Sequence, residues 1–212
     1  MLSTYSIIYG LTADPIHLGH EQAIINGINF LKQQGYAIST FLIIPVYQPN
    51  LIVDKKAPVA NFKHRVNMCE QVTKRLTKQL NCEITVSQIE QQIVKKTGQA
   101  NYSLNTIKQL KLKNPLFMVS ADHFQGRWPK FRKWYKWQEI LQYSGLLINQ
   151  RPGHEINQSF IEQLKEYNSD IFIVENKLTV DTSSSEIRNN LNKNRQYLST
   201  DIYDFLLKNE VY

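Results

Sequence analysis

Apolar residues recur along this chain at two alternating spacings. Short runs rich in Ile, Val, Leu and Phe occupy Ser6–Tyr9, Thr40–Val46, Glu83–Val86, Leu116–Ser120, Leu146–Asn149 and Ile171–Val174. Their length and β-branched content predict strands. Between them, apolar positions follow helical spacing through His20–Gln34, Asn61–Gln79, Ser103–Lys111, Trp134–Tyr143 and Ile156–Tyr167. Strands alternating with helices predict an α/β fold built on a doubly wound, mostly parallel sheet of five or six strands. After Val180 the strand signal stops. Two short helical stretches, near Ser185–Leu191 and Thr200–Lys208, predict a small C-terminal helical extension. Residues 1–212 therefore read as one domain, with 182–212 packed onto it. Gln48–Ala60 and Gln92–Asn101 are polar and aperiodic and read as mobile loops.

Parallel sheets collect ligands at the C-terminal ends of their strands. After the first predicted strand come Gly10, Thr12 and then Asp14-Pro15-Ile16-His17-Leu18-Gly19-His20. Two imidazoles three residues apart, with a glycine between them, sit on a strand-to-helix turn. Such a turn presents backbone N–H groups and a helix dipole to an anion. The histidines donate hydrogen bonds, and the glycine lets a phosphate approach the main chain. The second strand is followed by Lys55-Lys56, the fourth by Ser120-Ala121-Asp122 and the fifth by Arg151-Pro152-Gly153. The sixth is followed by Asp181-Thr182-Ser183-Ser184-Ser185-Glu186-Ile187-Arg188. Ser183 or Ser184 reads as a helix N-cap. Arg188 lies one turn in, so free amides and a guanidinium fork form a second anion clamp. Two clamps suit a polyphosphate better than a single phosphate ester.

Charge and cysteine content narrow the picture only slightly. The net charge of +7 permits a nucleic acid, an anionic membrane or a polyphosphate as partner, but the basic residues are spread along the chain. The densest basic stretch, Arg127 to Lys136, is explained as well by an amphipathic helix as by nucleic-acid binding, and no nucleic-acid partner is expected. Cys69 and Cys82 form neither a Cys-x-x-Cys pair nor a zinc-ligand set, and they read as reduced, buried thiols. No basic leader and no run near ~18 apolar residues is present, which predicts a cytoplasmic protein without membrane association.

The His17-Leu-Gly19-His20 turn together with Ser183-Ser184-Ser185-Glu-Ile187-Arg188 resembles the two signatures of the nucleotidylyltransferase superfamily. Within it, the chain is similar to the bacterial nicotinate-mononucleotide adenylyltransferases. Tyr102-Ser103-Leu104-Asn105-Thr106, Ser120-Ala121-Asp122, Trp134-Tyr135-Lys136-Trp137 and Arg151-Pro152-Gly153 carry the further likeness. The chain departs from that pattern at Leu11, Ala13, Ser103, Ser120 and Ser185, and in extra residues before Tyr102 and before Trp134.

The resemblance implies a Rossmann-like sheet and adenylyl transfer from ATP to a pyridine mononucleotide. It implies His17, His20 and Arg188 as catalytic residues. Gly10, Thr12, Gly19, Lys56, Asp122, Ser183, Ser184 and Ile187 would line the ATP site, with Asp122 on the ribose. Ser103, Trp134, Tyr135 and Arg151 would surround the acceptor, with Trp134 stacked on its ring. Mg²⁺ would arrive with ATP, held by substrate and water rather than by protein ligands. A homo-oligomer is compatible with it. Nicotinamide mononucleotide and phosphopantetheine are the alternative acceptors. A nucleotide- or RNA-binding module without activity is the reading from another class.

Overall fold

The computed structural model describes residues 3–49, 57–175, 179–180 and 182–212. Six strands form one parallel sheet: β1 (Thr4–Leu11), β2 (Ala37–Pro45), β3 (Ile84–Val86), β4 (Pro115–Ser120), β5 (Gly145–Asn149) and β6 (Ile171–Val174). Their order is β3-β2-β1-β4-β5-β6, and every neighbouring pair is parallel. The chain winds outward from β1 to β3, returns to the centre and winds outward again through β4, β5 and β6. The order reverses between β1 and β4, and a crevice opens there at the C-terminal strand ends.

Side-chain alternation builds a core on each face of the sheet. Ile7, Phe41, Ile43, Leu116, Met118 and Leu147 point to one face, which α1 (Leu18–Gln33), α2 (Phe62–Leu80) and α8 (Thr200–Lys208) cover. Ile8, Ile44, Phe117, Val119, Leu146 and Ile148 point to the other. That face is covered by α4 (Ser103–Leu110), α5 (Trp137–Tyr143) and α6 (Gln158–Lys165). Close approach is built in: a Cβ on Gly27 of α1 would lie 3.1 Å from the Leu147 side chain. Arg75 of α2 ties the helices of the first face together through both carboxylate oxygens of Glu21 on α1 (2.7 and 3.0 Å) and the Ser199 hydroxyl. No described helix is long and apolar enough to cross a membrane.

Two expectations are revised. Gln92–Asn101 is not a loop throughout, because α3 spans Ile89–Thr97 and ends on Gly98, whose φ of 66° closes the helix. Only Val94 of α3 is buried, so its apolar stripe is too narrow to read from spacing. The helix expected over Trp134–Tyr143 starts at Trp137, after a separate 3₁₀ turn at Lys130–Lys133. Lys136, at φ 49°, makes the break and leaves Trp134 and Tyr135 on the connecting segment. Of the expected Gln48–Ala60 loop, residues 50–56 lie outside the described residues. A seventh helix, α7 (Ser184–Asn189), follows the Ser-rich run.

Candidate active site

His17 is the N-cap of α1, and the turn uses both imidazoles to close itself. The Gly19 N–H donates to His17 Nδ1 at 3.1 Å, and the His17 N–H donates to His20 Nδ1 at 3.2 Å. The two ring centroids are 3.8 Å apart. A ring nitrogen that accepts a hydrogen bond carries no proton, so each neutral ring bears its hydrogen on Nε2. Burial, the neighbouring His20 and Arg151 lower the His17 pKa to about 2. Burial and Arg151 lower that of His20 to about 4. Both are therefore uncharged donors near neutral pH. Gly19 is required for this geometry, because a Cβ there would sit 3.0 Å from His17 Cε1 and 3.4 Å from the Val180 carbonyl.

The two histidines line a cavity of about 260 Å³ in the crevice between β1 and β4. Tyr9 of β1 and Gly19 and Ala23 of α1 form one wall. The end of β4 contributes Val119, Ser120 and Asp122, and the end of β5 contributes Asn149 and Arg151. Val180, Thr182, Ser183 and Ser184 close the far side. Burial would raise the Asp122 carboxyl, but His123, Ser120, Lys130 and His154 outweigh it and hold it below the usual range. Asp122 lies 3.7 Å from Lys130 Nζ. Arg151 is braced by the Thr182 carbonyl at 3.1 Å.

The late motif is stitched onto the early turn. Ser183 caps α7: its hydroxyl accepts from the Glu186 N–H at 3.2 Å, and Glu186 accepts from the Ser183 N–H at 2.8 Å. Ser184 donates from Oγ to the Pro15 carbonyl at 3.0 Å. Arg188 donates to the Asp14 carbonyl and to Ser185 Oγ, and it pairs with the Asp14 carboxylate at 3.2 Å. Asp14 also accepts from the Val59 and Ala60 amides and from the Tyr212 hydroxyl. Arg188 thus lies behind the His turn and does not line the cavity. The Asp14 carboxylate, 2% exposed, needs a counter-charge, and Arg188 supplies it.

His17, His20, Gly19, Asp122, Ser183, Ser184 and Arg151 are brought together around one cavity. Ile187 is fully buried in the core beneath it. Gly10 packs under Phe117, and the Thr12 carbonyl accepts from Arg65 at 2.8 Å. Lys56 lies outside the described residues. Ser103, Trp134 and Tyr135 do not line this cavity. They form a neighbouring patch, in which Tyr135 stacks on Tyr102 at 4.5 Å. Trp134 meets His123 edge-on at 5.2 Å, next to Asp122.

Sequence reasoning missed Tyr9, Asn149 and Arg65. Asn149 could have been found as the polar residue ending an apolar strand. Arg65 is buried and donates to the Thr12, Val46, Tyr47 and Ala60 carbonyls, joining the loops after β1 and β2. Nothing in helical spacing separates it from a surface arginine.

The fold recurs in a solved protein, and the sequence has curated relatives. A nicotinic acid mononucleotide adenylyltransferase of Plasmodium falciparum, solved with NaAD, superposes with a TM-score of 0.71 at 19% identity, covering 97% of this chain and 95% of that one. Among curated proteins, a "probable nicotinate-nucleotide adenylyltransferase" of Thermotoga maritima is 28% identical over 188 residues, 85% of this chain and 78% of that protein. Its namesake in Hydrogenovibrio crunogenus is 27% identical over 153 residues, 70% of this chain. That alignment spans only 63% of the Hydrogenovibrio protein. The cytidylyltransferase-like family model matches residues 8–190, which takes in both the His turn and the Ser-rich helix start. The chain belongs to the cytidylyltransferase-like family.

Proposed function

We propose that this protein transfers the adenylyl group of ATP to nicotinate mononucleotide, giving nicotinate adenine dinucleotide and pyrophosphate. One observation carries the chemical part of this reading. Two uncharged imidazoles, each with Nδ1 engaged by backbone, face the same cavity as the serines that open α7. That arrangement supplies donors to phosphate oxygens without offering a base or a nucleophile of its own. The acceptor rests on the curated relatives' names and on the patch of Ser103, Trp134 and Tyr135 beside the cavity.

In this reaction a phosphate oxygen of the acceptor forms a bond to the α-phosphorus of ATP. The bond from that phosphorus to the bridging oxygen of the β-phosphate breaks, and its electron pair leaves with pyrophosphate. A phosphate monoester is already a competent nucleophile near neutral pH, so catalysis reduces to positioning and charge stabilisation. His17 and His20 donate from Nε2 to the phosphate oxygens where charge builds. Arg151 adds the guanidinium of the cavity wall. Asp122 accepts from the ribose hydroxyls. Arg188 acts through Asp14, holding the turn that presents the histidines.

Among the described residues, no cluster of three or more His, Cys, Asp or Glu could hold a metal ion. Asp122 is the one carboxylate of the cavity wall among the described residues, and it already has basic neighbours. These residues fit Mg²⁺ carried in by ATP, which neutralises phosphate charge when bound.

Pyrophosphate release, followed with ATP, Mg²⁺ and each acceptor separately, tests the proposal. Turnover with nicotinate mononucleotide, and a dinucleotide product by chromatography, is the expected result. Turnover only with phosphopantetheine would replace the acceptor. Binding without turnover for every acceptor would leave a nucleotide-binding module.

A further inference from the structure

Asn149 ends β5 and is 2% exposed, yet neither its Oδ1 nor its Nδ2 meets a hydrogen-bond partner among the described residues. It lines the cavity. Leu147, two residues earlier and so on the same face of β5, packs against Gly27 of α1. Asn149 continues that face toward the His20 end of α1, beside its strand partner Ser120. A buried amide with both atoms orphaned is costly. Native interiors avoid such groups unless something completes them.

The chemistry of the orphan pair selects what completes it. A phosphate offers only acceptors, so it would satisfy Nδ2 and leave Oδ1 facing an anion. A carboxamide presents a donor and an acceptor side by side. The amino edge of adenine presents the complementary pair, its N6 hydrogens beside a ring nitrogen. Tyr9, Val119 and Val180 give the cavity apolar surface for a ring, and Asp122 stands at the adjoining strand end for the sugar.

We propose that the Asn149 carboxamide reads the amino edge of the nucleotide's base. This rests on the nucleotide reading of the cavity given above. In it, Asn149 is a specificity-determining residue, separate from the groups that act on the phosphates.

Asn149→Leu, an apolar near-isostere, tests the proposal in the full-length chain. Binding of ATP, of purine riboside 5′-triphosphate, which lacks the amino group, and of inorganic tripolyphosphate is measured by calorimetry. The wild type should prefer ATP over the amino-less analogue by about tenfold, the size of one lost hydrogen bond that leaves the buried Oδ1 unpaired. N149L should bind the two alike, with tripolyphosphate binding unchanged. Without ligand, N149L should melt about 2–4 °C higher than the wild type, because two orphaned polar atoms are gone. Three results would overturn the proposal alone: a wild type indifferent to the amino group, an N149L that keeps the preference, or a loss of tripolyphosphate binding in N149L. A lower melting temperature for free N149L would do the same, by assigning Asn149 a structural role. A wild type that binds no ATP would overturn the nucleotide reading, and this one with it.

Discussion

Asp14 and Arg188, 174 positions apart, form an ion pair at 3.2 Å directly behind the His17–His20 turn. Asp14 is 2% exposed and also collects two backbone amides and the Tyr212 hydroxyl. Removing a carboxylate with that many donors leaves a partly buried guanidinium, two amides and a hydroxyl without their partner. Asp14→Ala should therefore destabilise the fold by about 3–5 kcal/mol in urea titrations. A change below about 1 kcal/mol, the range of exposed pairs, would show the pair to be superficial. Tyr212→Phe removes a single donor from the same carboxylate and should cost only about 1 kcal/mol.

His20 uses two ends of one ring: Nδ1 accepts from the His17 backbone, and Nε2–H is the donor that the proposed reaction employs. Ala removes both, whereas Asn supplies an oxygen and an N–H on a shorter stem. His20→Ala should lower kcat by ~10²-fold or more, and His20→Asn should recover part of that loss. A near-wild-type rate for His20→Ala would remove the residue from the mechanism.

Acid stability follows from the same two rings. Their folded pKa values, about 2 and about 4, lie below the ordinary 6.5 expected of an unfolded chain. Between those values the unfolded state binds more protons than the folded state, so stability grows as pH rises. Their contribution is complete above pH 6.5 and is lost progressively as pH falls from there, toward 4 for His20 and toward 2 for His17. At pH 5 the loss should be about 1–2 kcal/mol per imidazole, and His17→Asn should flatten the profile. Urea midpoints at pH 7 and pH 5 measure it. Equal slopes for variant and wild type would contradict the buried-neutral assignment.

Gly19 and Gly145 should respond differently to a methyl group. At Gly19 the new Cβ meets the edge of the His17 ring, which can turn away. Gly19→Ala should mainly reduce activity and spare the fold. At Gly145 the new Cβ would lie 2.3 Å from the Asp170 carbonyl, which is backbone. Gly145→Ala should therefore destabilise the β5–β6 edge by about 1–3 kcal/mol or more. Thermal melts and kcat for the two variants give the contrast.

Much of this was legible in the chain. Ile171–Val174 appears as a strand with the boundaries expected, because a short β-branched run between polar turns has few other ways to bury itself. The cap at Ser183 follows from a hydroxyl three residues before Glu186. What spacing cannot carry is direction. Arg188 was expected to face the phosphates, yet it faces Asp14, a residue whose burial becomes apparent only once the sheet has brought both motifs together. Asn149 shows in sequence only as the polar end of an apolar strand, and its significance lies in the partners it lacks. The α3 helix escaped because one buried valine makes no stripe.

The closed turn also bears on how the proposed reaction finishes. Imidazoles held uncharged by burial and by Arg151 attract a triphosphate less than a pair of lysines would. They also relax their hold on pyrophosphate more readily once it has formed. The burial that keeps the turn neutral thereby favours turnover over product trapping.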